Sequence, residues 1–182
     1  MKQRESRALP ALLLVAALLI LWATPARATE AQIPEYGLSL SLPASLDVIT
    51  RNMPPDDPVL RLYGMSAGQL KSEGLYLKAF DITGEYTLTL SLSQGGGDYS
   101  LLSESDILGI ASSHNGMKAE VFYTSQAAFL LYSNAEGTGL TCQTQAGGLF
   151  FRLTLIAPSG VKAGMSRTLK AIAQSADFGL GQ

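Results

Sequence analysis

The chain of 182 residues carries one cysteine, Cys142, and one histidine, His114. A single thiol excludes an intramolecular disulfide, so the fold must be held by its hydrophobic core rather than by covalent staples. A single imidazole excludes a histidine-dominated metal site and a histidine pair. Serines are plentiful, yet none stands in a G-x-S-x-G elbow, and the strands do not alternate with helices as such an elbow requires. Gly95-Gly96-Gly97 is not followed by the Lys-Ser/Thr of a phosphate loop, and it reads instead as a mobile connection. Internal repeats, coiled-coil heptads and linkers long enough to divide the chain are also missing.

What the chain does have begins with residues 1–28. Lys2, Arg4 and Arg7 precede an apolar run from Ala8 to Ala23, and Pro25-Ala26-Arg27-Ala28 follows with small residues at Ala26 and Ala28. This is the order of a secretory signal peptide: basic start, apolar stretch, small-x-small cleavage site. The run of about sixteen residues is shorter than the roughly 20 needed to cross a bilayer, and Pro10 interrupts it. The expectation is cleavage between Ala28 and Thr29, leaving no stable membrane span. No cysteine follows the apolar stretch to accept a lipid. The expected place of work is the cell envelope or the extracellular space.

Four of the thirteen bases and one of the fifteen acids lie in this leader, so residues 29–182 keep nine bases, fourteen acids and a net charge of −5. An acidic balance with no basic run argues against nucleic acid as a partner. The length of residues 29–182 is that of one ordinary domain with a real core.

Leu38, Leu40 and Leu42 alternate with Ser39 and Ser41, which predicts a half-buried strand ending at Pro43. Leu46 to Thr50 reads as a second short strand, and the three prolines of residues 52–58 predict a loop. Ser66 and Gln69 form the two halves of a capping box and Gly74 suits a left-handed stop, so a helix is expected over 67–73. Two strands, 75–82 and 85–93, follow around Thr83-Gly84. In the second, Tyr86, Leu88, Leu90 and Leu92 alternate without a break with Thr87, Thr89, Ser91 and Ser93. Ser103 with Glu104 and Asp106 opens a helix over 104–114, whose apolar stripe is Ile107, Ile110 and Ala111.

From Lys118 onward four strands, 118–124, 127–134, 138–145 and 149–157, are separated by connections short enough only for hairpins. The result is an antiparallel meander. The runs Ala127 to Tyr132 and Phe150 to Ile156 are nearly continuously apolar, which predicts strands covered on both faces. Met165, Leu169, Ile172 and Ala176 recur at helical spacing, so a final amphipathic helix over 162–176 should lie on the sheet, with Lys170 toward solvent and Phe178 closing the core.

The phrases "GLSLSLP" near residue 37 and "GGLFFRLTLIAP…TLKAIAQSADF" at the end, with this order of elements, resemble the PsbP-like family. They look like that family's opening strand, its penultimate hairpin and a closing helix ending in Ser-x-x-Phe. The resemblance implies an α+β fold in which helices cover both faces of an antiparallel sheet, an α/β/α sandwich. It also implies proteins that act mostly by binding partners, photosystem II and small GTPases among them, rather than by catalysis. It carries over no binding residue.

The sharpest catalytic alternative is a thiol enzyme or small hydrolase using Cys142 as nucleophile and His114 as base. Against it, Cys142 stands mid-strand, where a free cysteine is ordinarily packed, and His114 stands in a last helical turn, where an imidazole suits the helix dipole. Asp56, Asp57, Asp98, Glu104 and Asp106 offer oxygen ligands for calcium, but their spacing matches no loop motif. The hydroxyl face Thr87, Thr89, Ser91 and Ser93 suits carbohydrate or protein and is equally ordinary on an open strand. The reading from sequence is therefore an exported, non-enzymatic domain, with no catalytic residue, metal or cofactor assigned, that binds a protein or another envelope component.

Overall fold

The structure, a computed structural model, describes residues 28–179. The basic start and apolar stretch read from sequence as a signal peptide lie outside the described residues. Thr29, the residue expected to follow cleavage, opens strand β1 (Thr29–Ile33), which pairs antiparallel with β2 (Leu38–Leu42) from Thr29 opposite Leu42 to Ile33 opposite Leu38. A short 3-10 turn, Pro34–Tyr36, joins them, and Gly37 closes it at φ 61°, a left-handed conformation that favours glycine. β1 and its ribbon were not expected from the sequence.

The remaining strands form one antiparallel sheet of seven: β3 (Leu46–Thr50), β4 (Leu75–Asp81), β5 (Thr87–Gln94), β6 (Met117–Tyr123), β7 (Ala128–Ser133), β8 (Gly139–Ala146) and β9 (Leu149–Ile156), in the spatial order β3-β4-β5-β9-β8-β7-β6. The meander from β6 to β9 is as expected, and β5 joins it by pairing with β9 over its whole length. Four helices complete the described residues: α1 (Pro58–Leu62), α2 (Ala67–Ser72), α3 (Glu104–Ser113) and α4 (Ala163–Gln174). Ser66 and Gln69 make the reciprocal capping box of α2, and the Ser103 hydroxyl accepts from the Asp106 amide at the start of α3. None of these helices is long and apolar enough to cross a membrane.

One face of the seven-stranded sheet carries the main core. Leu88, Leu90 and Leu92 of β5, Phe151, Leu153 and Leu155 of β9 and Cys142 of β8 pack there against Met165, Leu169, Ile172 and Ala173 of α4 and against the β1-β2 ribbon. Each fully buried leucine contributes roughly 1.5–3 kcal/mol by leaving water. Phe178 closes this core between Phe129 and Phe151, at ring separations of 6.2 and 5.7 Å. Helix α4 thus shares its face with a strand pair.

The opposite face is covered only at its two ends. At one, α1 and α2 bury Leu60 and Leu70 on Ile49. At the other, α3 buries Ile107 and Ala111 on Ala128, Leu130 and Tyr132. β7 is therefore buried on both sides from Ala128 to Tyr132, as its apolar run predicts. β9 is not: Phe150, Arg152 and Thr154 are half-buried and Ile156 is exposed, because no helix lies over the middle of the sheet. Two further expectations are corrected. Ile110 is only half-buried, at the inner edge of α3, and Lys170 folds over the Phe122 ring and pairs with Glu120 at 2.8 Å rather than standing in solvent.

Candidate functional site

Between the two helical covers, the strands β5, β9 and β8 present a strip of mostly polar side chains in rows across the sheet. Thr89, Thr154 and Thr141 form one row, Ser91, Arg152 and Gln143 the next, and Ser93, Phe150 and Gln145 the third. The hydroxyl alternation of β5 thus continues into two neighbouring strands.

The strip deepens beside α3 into a cavity of about 490 Å³. Its floor is Gln143, Gln145, Phe150 and Arg152. One wall is Tyr99, held in a 3-10 turn (Tyr99–Leu101) that the Asp98 carboxylate caps by accepting from the Ser100 amide at 2.8 Å. The other is Ile110 and His114 of α3. The rim at the end of β5 is Gly95, whose amide donates to the Gly148 carbonyl at 2.9 Å. Gly97 lies so close to Gln145 that a Cβ there would clash with its carboxamide oxygen. The glycine segment read as a mobile connection is thus tied to the β8-β9 hairpin at one end and to the Asp98 cap at the other.

Gln143 is 1 % exposed and donates to the Tyr99 hydroxyl at 3.0 Å, while the other end of its carboxamide has no partner. The Arg152 guanidinium lies 5.0 Å from the Phe150 ring centre, and its buried Nε also lacks an acceptor. Burial pushes the Tyr99 phenol above its ordinary range, and the Gln143 hydrogen bond and the Arg152 charge oppose that shift. No carboxylate lines the cavity among the described residues. Buried polar groups in folded proteins are nearly always paired, so two orphans on neighbouring strands mark this place.

Of the residues singled out from sequence, His114 and Ser93 line the cavity, Thr89 and Ser91 stand on the strip, Asp98 caps the Tyr99 wall, and the others fall elsewhere. Cys142 is fully buried in the main core on the α4 face, and burial pushes its thiol well above the ordinary range. His114 lies on the other face, its ring stacked with Tyr132 at 6.4 Å and its backbone amide capping α3 through the Ala111 carbonyl at 3.0 Å. The sheet separates the two, so they form no nucleophile and base pair. Asp57 caps α1 by accepting from the Val59 amide at 2.8 Å, and Asp106 accepts from the Ser103 hydroxyl at 2.5 Å. Among the described residues no cluster of three His, Cys, Asp or Glu side chains could hold a metal. Sequence reasoning missed Gln143 and Arg152. The signal was present: Arg152 interrupts an apolar run, and both residues fall on the polar phase of their strands.

No family model matches the chain, and no curated protein does. Among solved structures it is similar to the solution structure of cyanobacterial PsbP (CyanoP) from Synechocystis sp. PCC 6803, with a TM-score of 0.54 over 86 % of this chain and 95 % of that one. The fold is PsbP-like. At 13 % identity the likeness shows the fold alone and assigns no role to any residue.

Proposed function

We propose that the protein is an exported domain that works by binding a protein or another envelope component and has no catalytic activity of its own. In this reading residues 1–28 are a leader removed between Ala28 and Thr29, and residues 29–182 act as one domain. The observation that carries it is the uncovered strip of β5, β9 and β8, flanked by α1 and α2 on one side and α3 on the other. A sheet face this accessible, lined by hydroxyl, amide and guanidinium groups, supplies many hydrogen bonds to a partner. Against catalysis stands the separation of Cys142 from His114, and no hydrogen bond orients the His114 ring among the described residues. A convergent polar cavity is present, but what converges there is Arg152, Gln143 and Tyr99, a set suited to holding a ligand rather than attacking one.

The test is capture from native envelope with the domain immobilised. Thr89→Arg, which places a bulky charge in the middle of the strip, should abolish retention of the captured component, and Arg167→Ala on exposed α4 surface should keep it. Retention indifferent to Thr89→Arg, or a protein found with its leader still attached in membranes, would overturn the reading.

A further inference from the structure

The cavity beside α3 has the chemistry of a ligand site in its own right. Its volume of about 490 Å³ lies within the range of small-molecule sites, roughly 300–1,000 Å³. Arg152 is its one permanent charge. The two ion pairs among the described residues use Lys162 with Glu85 and Lys170 with Glu120, so neither engages Arg152. A guanidinium with no carboxylate partner among the described residues calls for an acceptor-rich, negatively charged group to complete it.

We propose that this cavity binds a small organic monocarboxylate with an apolar body, the carboxylate on Arg152 and the body against Phe150, Leu102 and Ile110. The proposal rests on the binding reading above and names the ligand class of one part of the strip. Three features select a carboxylate. The planar fork of an arginine matches its two oxygens. No carboxylate among the described residues lines the cavity to compete for the guanidinium. Third, α3 meets the cavity with its C-terminal end, where the helix dipole is negative, so a phosphate of higher charge is disfavoured where a single charge matched by Arg152 is accepted. The apolar lining then accounts for the rest of the molecule: Ile110, packed at the edge of the α3 core, also lines the cavity, and Leu102 stands 43 % exposed at its edge.

The probe is 3-phenylpropionate, titrated into the protein and followed by amide NMR, with 3-phenylpropionamide and inorganic phosphate as comparisons. The expected result is saturable shifts confined to residues around Gln143, Phe150 and Arg152, at least tenfold weaker binding of the neutral amide, and no saturation with phosphate. Arg152→Gln should weaken the carboxylate at least tenfold, and Arg152→Lys, which keeps the charge but not the fork, should weaken it less. Absent saturation, equal binding of the amide, or preference for phosphate each overturns the proposal, and the first two need no variant. Capture sensitive to Thr89→Arg reads the wider strip independently, so failure of the carboxylate site and failure of the binding reading give different results.

Discussion

Gln143 and Arg152 face each other across the β8-β9 ladder, and each keeps a buried polar atom without a partner. The pair sits at the centre of the sheet, where strands are otherwise stabilised by cross-strand contacts between matched side chains. A buried donor or acceptor left unmet costs stability, so this pair is where a bound group would gain most on this face of the sheet.

Replacing Arg152 with Met should therefore leave the domain as stable or raise its stability by up to about 1 kcal/mol, because an unmet buried donor is exchanged for an apolar chain of similar length. Urea unfolding measures this directly. A loss above about 2 kcal/mol would show that Arg152 holds the fold rather than a ligand.

Helix α4 supplies a graded series. Leu169 is fully buried and its truncation to Ala should cost about 2–5 kcal/mol. Lys170→Ala removes the Glu120 pair and the cover over Phe122, both partly exposed, and should cost no more than about 1 kcal/mol. Arg167→Ala, on exposed surface, should change stability by less than about 0.5 kcal/mol. A series of three equal melting temperatures would mean that α4 does not dock.

Two glycines of the α3 region should respond in opposite directions to alanine. At Gly116 a Cβ would lie 2.6 Å from the Tyr132 ring and 2.8 Å from the Ala111 carbonyl, so Gly116→Ala must push helix end and strand apart, at about 1–3 kcal/mol. At Gly109, mid-helix and exposed, a Cβ meets nothing within 4 Å, and alanine should stabilise by roughly 0.5–1 kcal/mol through its higher helix propensity. Thermal melts of the two variants should move to either side of the parent.

Much of this fold was legible because local signals and burial agree. The capping box at Ser66 and Gln69 and the unbroken leucine alternation of β5 each name an element without reference to the rest of the chain. Strand β1 was not legible: Thr29-Glu-Ala-Gln-Ile33 is short, and its alternation gains meaning only once β2 lies beside it. Helix α1 carries an Asp57 cap and Pro58 at its first position, both recognisable, but they stand among prolines that read as loop. The site was hidden for a different reason. Gln143 and Arg152 become neighbours only through the register of the β8-β9 hairpin, and β9 shows a polar face only because the helices stop at the sheet's two ends, which no single segment encodes.

Cys142 yields a prediction in pH. Burial raises its pKa in the folded state above that of the unfolded chain, so around and above pH 9 the unfolded state releases a proton that the folded state keeps. Stability contributed by the neutral buried thiol is thus fully present below the unfolded pKa and is lost as pH rises beyond it, by up to about 1.4 kcal/mol per pH unit for one proton. Cys142→Ala should cost about 1 kcal/mol at pH 7, the scale of a small core truncation. Because alanine cannot ionise, the gap between variant and parent should narrow from pH 9 upward and then reverse. Thiol reagent at neutral pH should label the parent only after denaturant is added. A gap constant from pH 7 to 10.5, together with rapid labelling of the native protein, would place the thiol in contact with solvent and contradict its position beneath α4.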